Sequence, residues 1–448
     1  MESIGLLTSE LPSRRAGRGL GVVLLAFVCL VSPCTPCLRA QGQKPAVAQP
    51  SVDVTNLLRT AEEALSRNDF AAAVNALKAV VEAQPQSTPA WFNLAFAYTG
   101  LHQDEEAQKA YQKTLELEPD LFEARLNLGI LLLRMKQPQA ALEHLQRAST
   151  LKPEHLRAHL YYGRALSLTG QREAAQNQFQ EVLRLDPHLA IAHFDLGQLY
   201  LEGKRYAEAL AAFQKAAELD STLAQAQLGM ALASEGQNDS AQAVTHFEQY
   251  LAAMPQDLET RFHLARIYLQ QGKDEQALGG LQTVFAAKPD MPGLAAALGD
   301  VNVLLKKFPE SEKLYRQALA ASPGESDLHR ALAQTLLAEK KFAEAEAEFR
   351  TALKLNSKSW EAAKGLATSL YLQERYSEAI PVLEALTRGP SPPAELIFGL
   401  GTCYDRLHAR AKALEAYERF LALSHGANPD EEWRARQRVN LLRRELQK

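Results

Sequence analysis

Between residues 54 and 427 apolar positions recur with the spacing of helix faces, and that spacing itself repeats every 34 residues. Units start at Val54, Thr88, Phe122, Leu156, Ala190, Ala224, Leu258, Pro292, Ser326, Trp360 and Ala394, eleven in all, without one insertion. In each, positions 4, 7, 8 and 11 follow one helix face, and positions 20, 24 and 27 follow another. Position 8 is always Ala or Gly. Position 20 is alanine ten times, with Ser311 the exception, and position 24 is always large and apolar, as in Tyr111, Phe179, Phe213, Phe247 and Phe349. Small residues at 8 and 20 let two helices approach closely, with the large residue at 24 filling the space beyond them. Charged residues fall between these sites, on solvated faces.

Prolines punctuate the pattern with the same step, at Pro85, Pro119, Pro153, Pro187, Pro255, Pro289 and Pro323. Ser221, Ser357 and Ser391 stand where the ladder lacks one. A proline near position 32 restricts the residue before it, so it ends the second helix and begins the turn. A period of 34 is the length of one helix–turn–helix unit, which predicts an all-α solenoid. Such an array presents a long surface for binding and no inherent place for chemistry. The loop-like stretches at 389–393 and 292–293 are candidate hinges.

With these positions in view, the pattern resembles the tetratricopeptide repeat. Trp91, Leu94, Ala95, Tyr98, Ala107, Tyr111 and Pro119 nearly spell its consensus in the second unit. The resemblance implies a right-handed superhelix whose first helices line an inner groove through positions 2, 5, 9, 12 and 13. Position 5 is apolar through seven units, at Leu58, Phe92, Leu126, Leu160, Phe194, Leu228 and Phe262. Position 9 adds Phe96, Ile130 and Leu232, whereas position 5 becomes Arg330 and Lys364 in units nine and ten. The expectation is a groove with an apolar front and a partly basic rear, suited to a protein or peptide partner. Packing against the neighbouring unit is the competing use of position 5. Some members of the family clamp a terminal carboxylate with Lys at 5 and Asn at 9. No unit here has that pair, and Asn93 and Asn127 at position 6 read as packing residues.

The rest of the chain adds an export expectation. Arg14, Arg15 and Arg18 precede an apolar run from Leu20 to Val31, too short for an ordinary membrane-spanning helix. Residues 1–40 therefore read as a signal peptide, cleaved after Ala40, or as an N-terminal membrane anchor. The expected location is periplasmic or secreted, with peripheral membrane association possible through this segment. Residues 41–53 read as a disordered linker. Residues 428–448 read as a capping helix, with Trp433, Val439, Leu442 and Leu446 covering the last repeat. Its arginines at 434, 436, 438, 443 and 444 would face water; a basic tail for an acidic partner is the alternative.

Composition narrows the function further. The chain is 46% hydrophobic and 23% charged, with a formal net charge of −4. The first 40 residues hold four arginines against two glutamates, so the remainder carries −6, which argues against a general nucleic-acid surface. Of four cysteines, Cys29, Cys34 and Cys37 lie in the N-terminal segment; removing it leaves Cys403 alone, with no internal disulfide. His155 and His159 are four apart but lack a third ligand and an HExxH glutamate, so no metal site is expected. No phosphate loop or nucleophile elbow occurs, and neither enzyme activity nor a cofactor is expected. The expected function is an exported scaffold for protein–protein interaction. A structural component of an envelope or export complex is the alternative, and the substrate-selecting arm of an enzyme on another chain the weakest reading.

Overall fold

The computed structural model describes residues 53–389 and 392–447, so the signal, linker and N-terminal cysteine readings lie outside the described residues. Twenty-three helices account for the regular structure among those described. The chain divides into two compact units, one ending at Gly229 and the other beginning at Met230. The first unit contains α1 (Val54–Ser66), α2 (Phe70–Ala83), α3 (Thr88–Gly100), α4 (Asp104–Leu117), α5 (Phe122–Arg134) and α6 (Pro138–Leu151). It continues with α7 (Leu156–Leu168), α8 (Arg172–Leu185), α9 (Ala190–Glu202) and α10 (Tyr206–Leu219). The boundary falls inside α11 (Ala224–Gly236). The second unit contains α12 (Ser240–Ala253), α13 (Leu258–Gln270), α14 (Asp274–Ala287), α15 (Leu294–Leu304) and α16 (Phe308–Ala321). After these come α17 (Ser326–Ala338), α18 (Phe342–Leu355), α19 (Trp360–Leu372) and α20 (Tyr376–Leu386). The last three are α21 (Ala394–Arg406), α22 (Arg410–Ser424) and α23 (Pro429–Leu446).

The first helix of a repeat thus runs from position 1 to 13 and the second from 17 to 30, with few departures. A left-handed residue at position 15 turns one into the other in all eleven repeats. Glycine fills it only at Gly170 and Gly272; elsewhere Asn68, His102, Lys136, Lys204 and their equivalents hold φ near +60°. The strain of about 1 kcal/mol or more is offset by a bond closing the helix end, from the N–H at position 16 to the carbonyl at position 11. Asp69 N to Ala64 O at 2.8 Å and Arg205 N to Tyr200 O at 2.8 Å are examples. The proline turn has its own lock. The side chain at position 4 reaches back six residues to the proline carbonyl, as in Trp91 Nε1 to Pro85 O at 2.9 Å and Arg125 Nε to Pro119 O at 2.8 Å.

The packing corrects one detail of the sequence reading. The large residue at position 24 does not lie beyond the small residue at position 8; it packs directly on it. A Cβ added at Gly163 would stand 2.6 Å from the Phe179 ring, and one at Gly197 would stand 2.8 Å from Phe213. The same ring also reaches the next repeat, where position 6 must yield: a Cβ at Gly229 would stand 2.6 Å from Phe213, and Gly365 meets Phe349 likewise. Every position-24 side chain is buried. Position 20 is buried throughout, and the exceptional Ser311 satisfies its hydroxyl by donating to Gly299 O at 3.0 Å.

In the second unit an ion-pair ladder runs along the second helices. Glu312 joins Arg316 on its own helix to Lys341 of the following repeat, with Lys341 Nζ at 2.6 Å. One repeat on, Glu346 does the same with Arg350 at 2.9 Å and with Arg375. Burial works against the Glu346 charge, yet bonds from Gln373 and Arg350 hold its carboxyl below the ordinary range.

At the C-terminal end α23 packs on α22 through Ala435, Val439 and Leu442. Trp433 and Leu446 do not join that contact; Trp433 is 65% exposed. Arg438 does not simply face water, because its guanidinium grips Asp405 at 2.5 and 2.7 Å, and Arg443 pairs with Glu418 at 2.6 Å. Cys403 is buried, and burial pushes its thiol up to about 12. Of the two candidate hinges, 292–293 shortens the start of α15, where Gly293 adopts φ 77°.

The position 8–24 contact predicts that Gly163→Leu lowers unfolding stability by about 1–3 kcal/mol through overpacking. Gly279→Ala, where an added Cβ meets nothing within 4 Å, should be neutral or stabilising. Urea unfolding of both variants checks the pair, and equal effects would contradict the packing account.

Candidate partner-binding surface

Within each unit the first helices of neighbouring repeats lie side by side: α5 touches α7 and α7 touches α9 in one, and α13, α15, α17 and α19 follow in the other. The twelve residues singled out by position 5 and position 9 all stand on first helices, and Leu58 and Leu232 are half-buried. Their burial divides them. Phe92, Leu126, Leu160 and Leu228 are buried, so they offer no contact surface. In two repeats the position-5 side chain packs against the ring at position 24. Phe92 meets Tyr111 at a centroid distance of 5.9 Å, and Phe194 meets Phe213 at 5.5 Å. Phe194 and Phe262 nevertheless stay half-buried, as do Phe96 and Ile130. Phe96 sits edge-on to Phe70 at 6.1 Å. Leu168, at position 13 of α7, is 42% exposed and extends the apolar surface beyond what positions 5 and 9 suggested.

The basic rear is less basic than positions 330 and 364 imply. Arg330 donates to Asp327 at 3.2 Å and to Gln334 at 3.3 Å. Lys364 donates to Glu395 on the next first helix at 3.0 Å and also lies over the Trp360 ring. Both acidic partners occupy position 2, so position 2 read beside position 5 would have revealed the neutralisation.

A second pairing was missed because it joins different positions of different repeats. Arg164, at position 9 of α7, clasps Asp195, at position 6 of α9, with Nε–Oδ2 2.6 Å and Nη2–Oδ1 3.2 Å. Asp195 is only 6% exposed. Burial pushes its carboxyl above the ordinary range, and the Arg164 guanidinium limits the rise. Arg164 also stacks over Tyr161 at 5.3 Å. The pair fastens two first helices together in the middle of the apolar surface.

His155, the N-cap of α7, and His159 within it are engaged structurally. His155 Nδ1 caps α7 by accepting from Ala158 N at 3.3 Å, and its ring meets Phe122 edge-on. His159 hydrogen-bonds Pro153 O through Nε2 and Gln178 Oε1 through Nδ1, both at 2.8 Å. No group of three or more potential metal ligands occurs among the described residues. No helix among them is long and apolar enough to cross a membrane.

Removing the guanidinium should expose the cost of the buried carboxylate. Arg164→Leu is expected to lower stability at pH 7.5 by on the order of 3 kcal/mol. The folded variant holds the Asp195 proton more tightly than the unfolded chain, so its stability falls as pH rises between the two pKa values. The deficit should therefore shrink on acidification to pH 5. A deficit of equal size at both pH values in denaturant titrations would contradict the assignment.

Tetratricopeptide repeat profiles match residues 64–128, 132–188 and 232–301 in one form and residues 169–224 and 330–395 in another, together more than half of the chain. No curated protein sequence gives a significant match. Among solved structures, the C-terminal part of a repeat-containing protein from Cytophaga hutchinsonii is 19% identical with a TM-score of 0.45, covering 54% of this chain and 98% of its own. PilW, a type IV pilus biogenesis factor, is 21% identical with a TM-score of 0.42, covering 48% of this chain and 99% of its own. MamA from Desulfovibrio magneticus RS-1 is 24% identical with a TM-score of 0.37, covering 39% of this chain and 98% of its own. With the helix pairs, their period and the profile matches in agreement, the chain belongs to the tetratricopeptide repeat family.

Proposed function

We propose that this protein is an exported scaffold that docks a protein or peptide partner on the first-helix face of its N-terminal unit. The observation that carries this reading is the set of apolar side chains left partly open there, Phe96, Ile130, Leu168 and Phe194, along adjacent first helices. Phe92, Leu126 and Leu160 at position 5 are buried, so these four concentrate the available apolar contact. An amphipathic helix or an extended segment with regularly spaced apolar residues fits such a row. The Arg164–Asp195 pair inside the row adds a polar landmark that would favour a partner able to satisfy the outer guanidinium edge. The mechanism is reversible docking, with affinity from a few central anchors and no chemical step.

Export rests on the N-terminal sequence, with its basic start and apolar run from Leu20 to Val31. It places the docking surface in a periplasmic or extracellular space.

The test uses in-cell crosslinking of the tagged protein in its native host, with mass spectrometry of captured partners and of the protein's own N-terminus. The double change Ile130→Glu and Leu168→Glu should reduce capture of a defined partner by about tenfold or more while leaving the helical signal intact. Unchanged capture would remove this face as the site, and an N-terminus still carrying residues 1–40 in the cytoplasmic fraction would remove export.

A further inference from the structure

The side chain at position 4 has a fixed job on one side and a variable partner on the other. In the third repeat Arg125 is bound to the Pro119 carbonyl, and its Nη1 meets His144 at 3.1 Å and the Glu143 carboxylate at 3.4 Å. In the fourth, His159 is bound to Pro153 and meets Gln178. In the ninth, His329 is bound to Pro323 at 3.1 Å and meets Glu348 at 2.6 Å. Each outer partner comes from position 22 or 23 of the second helix. The seventh repeat keeps the first half of this arrangement and lacks the second. Arg261 Nη2 donates to Pro255 O at 3.0 Å, but positions 22 and 23 are Gly279 and Gly280.

Two consequences appear at that spot. Arg261 Nε is buried with no hydrogen-bond partner. Beside it a cleft of about 450 Å³ opens between α12, α13 and α14, lined by both glycines together with Glu248, Leu251, Leu264, Tyr268 and Thr283. The nearby Glu248 carboxylate does not fill the gap, because it accepts from the Tyr268 hydroxyl. Gly279 faces open space, whereas a Cβ at Gly280 would stand 3.3 Å from the Ala265 Cβ. The cleft therefore combines a guanidinium whose Nε is unpartnered, partly apolar walls, and room of the size that small ligands occupy.

We propose that this cleft binds a carboxylate, which takes on Arg261 the place that Glu143 takes on Arg125. A guanidinium partly withdrawn from water gains most from a charge-assisted bond to an oxyanion, whereas the Tyr268 and Thr283 hydroxyls already donate to Glu248 and to the Gly279 carbonyl and leave Arg261 as the donor. The carboxylate can belong to a small organic acid or to an acidic side chain of a peptide. This site lies between α12, α13 and α14 in the second unit and does not depend on the first-helix face of the N-terminal unit proposed above.

The experiment measures binding of two probes to the full chain by calorimetry. One is succinate, with neutral succinamide as control; the other is the acetylated, amidated peptide Ala-Glu-Ala, with its glutamine analogue as control. Binding of succinate alone assigns a small acid, binding of the glutamate peptide alone assigns a side chain, and binding of both assigns the shared carboxylate chemistry. Arg261→Gln should weaken whichever binds by about tenfold or more. Gly279→Glu, which rebuilds the third repeat's carboxylate at position 22, should weaken it similarly while raising the thermal midpoint. Failure of both acids to bind the unaltered chain at millimolar concentration would overturn the proposal. So would equal binding by the neutral controls, or binding unchanged in a folded Gly279→Glu protein.

Discussion

The contact on which the repeats depend is the side chain at position 24, held between position 8 of its own repeat and position 6 of the next. It links the two helices of one pair and reaches the following pair at once. Phe213 between Gly197 and Gly229, and Phe349 against Gly365, show how little room is left. Because each such side chain contacts only its own repeat and the next, stability should accumulate as a chain of nearest-neighbour terms. The buried carboxylates Glu312 and Glu346 add a second, ionic link of the same reach in the second unit.

This dependence explains what happened to the expected groove. An apolar residue at position 5 can support the position-24 ring, as Phe92 does for Tyr111 and Phe194 for Phe213. Apolar character along a first helix therefore reports packing before it reports recognition. What remains for a partner is the part of that row left partly open, Phe96, Ile130, Leu168 and the free side of Phe194. The Arg164–Asp195 clasp works in the same setting: it adds attachment between α7 and α9 at the cost of a buried charge.

Much of the fold was legible because a 34-residue period repeats the same evidence eleven times. Helix limits, the small residues at 8 and 20 and the ring at 24 all follow from it. Other features were hidden for physical reasons. The left-handed residue at position 15 is Lys, His, Asn or Glu in nine repeats, so no glycine marks it. Asp327 and Glu395 sit on the opposite side of an ion pair from Arg330 and Lys364, which drew attention, and the Arg164–Asp195 pair joins unlike positions of two repeats. The cleft at Gly279 and Gly280 becomes visible only when Arg261 is compared with Arg125 in register. Periodicity reveals what every repeat shares, whereas the sites lie where one repeat departs from the others.

Hydrogen exchange with mass spectrometry on Phe349→Ala tests the position-24 account most directly. Protection should fall in α17, α18, α19 and α20, the two repeats that Phe349 joins, while α1 to α10 keep theirs. A uniform loss across both units, or full protection retained in α19 and α20, would contradict it.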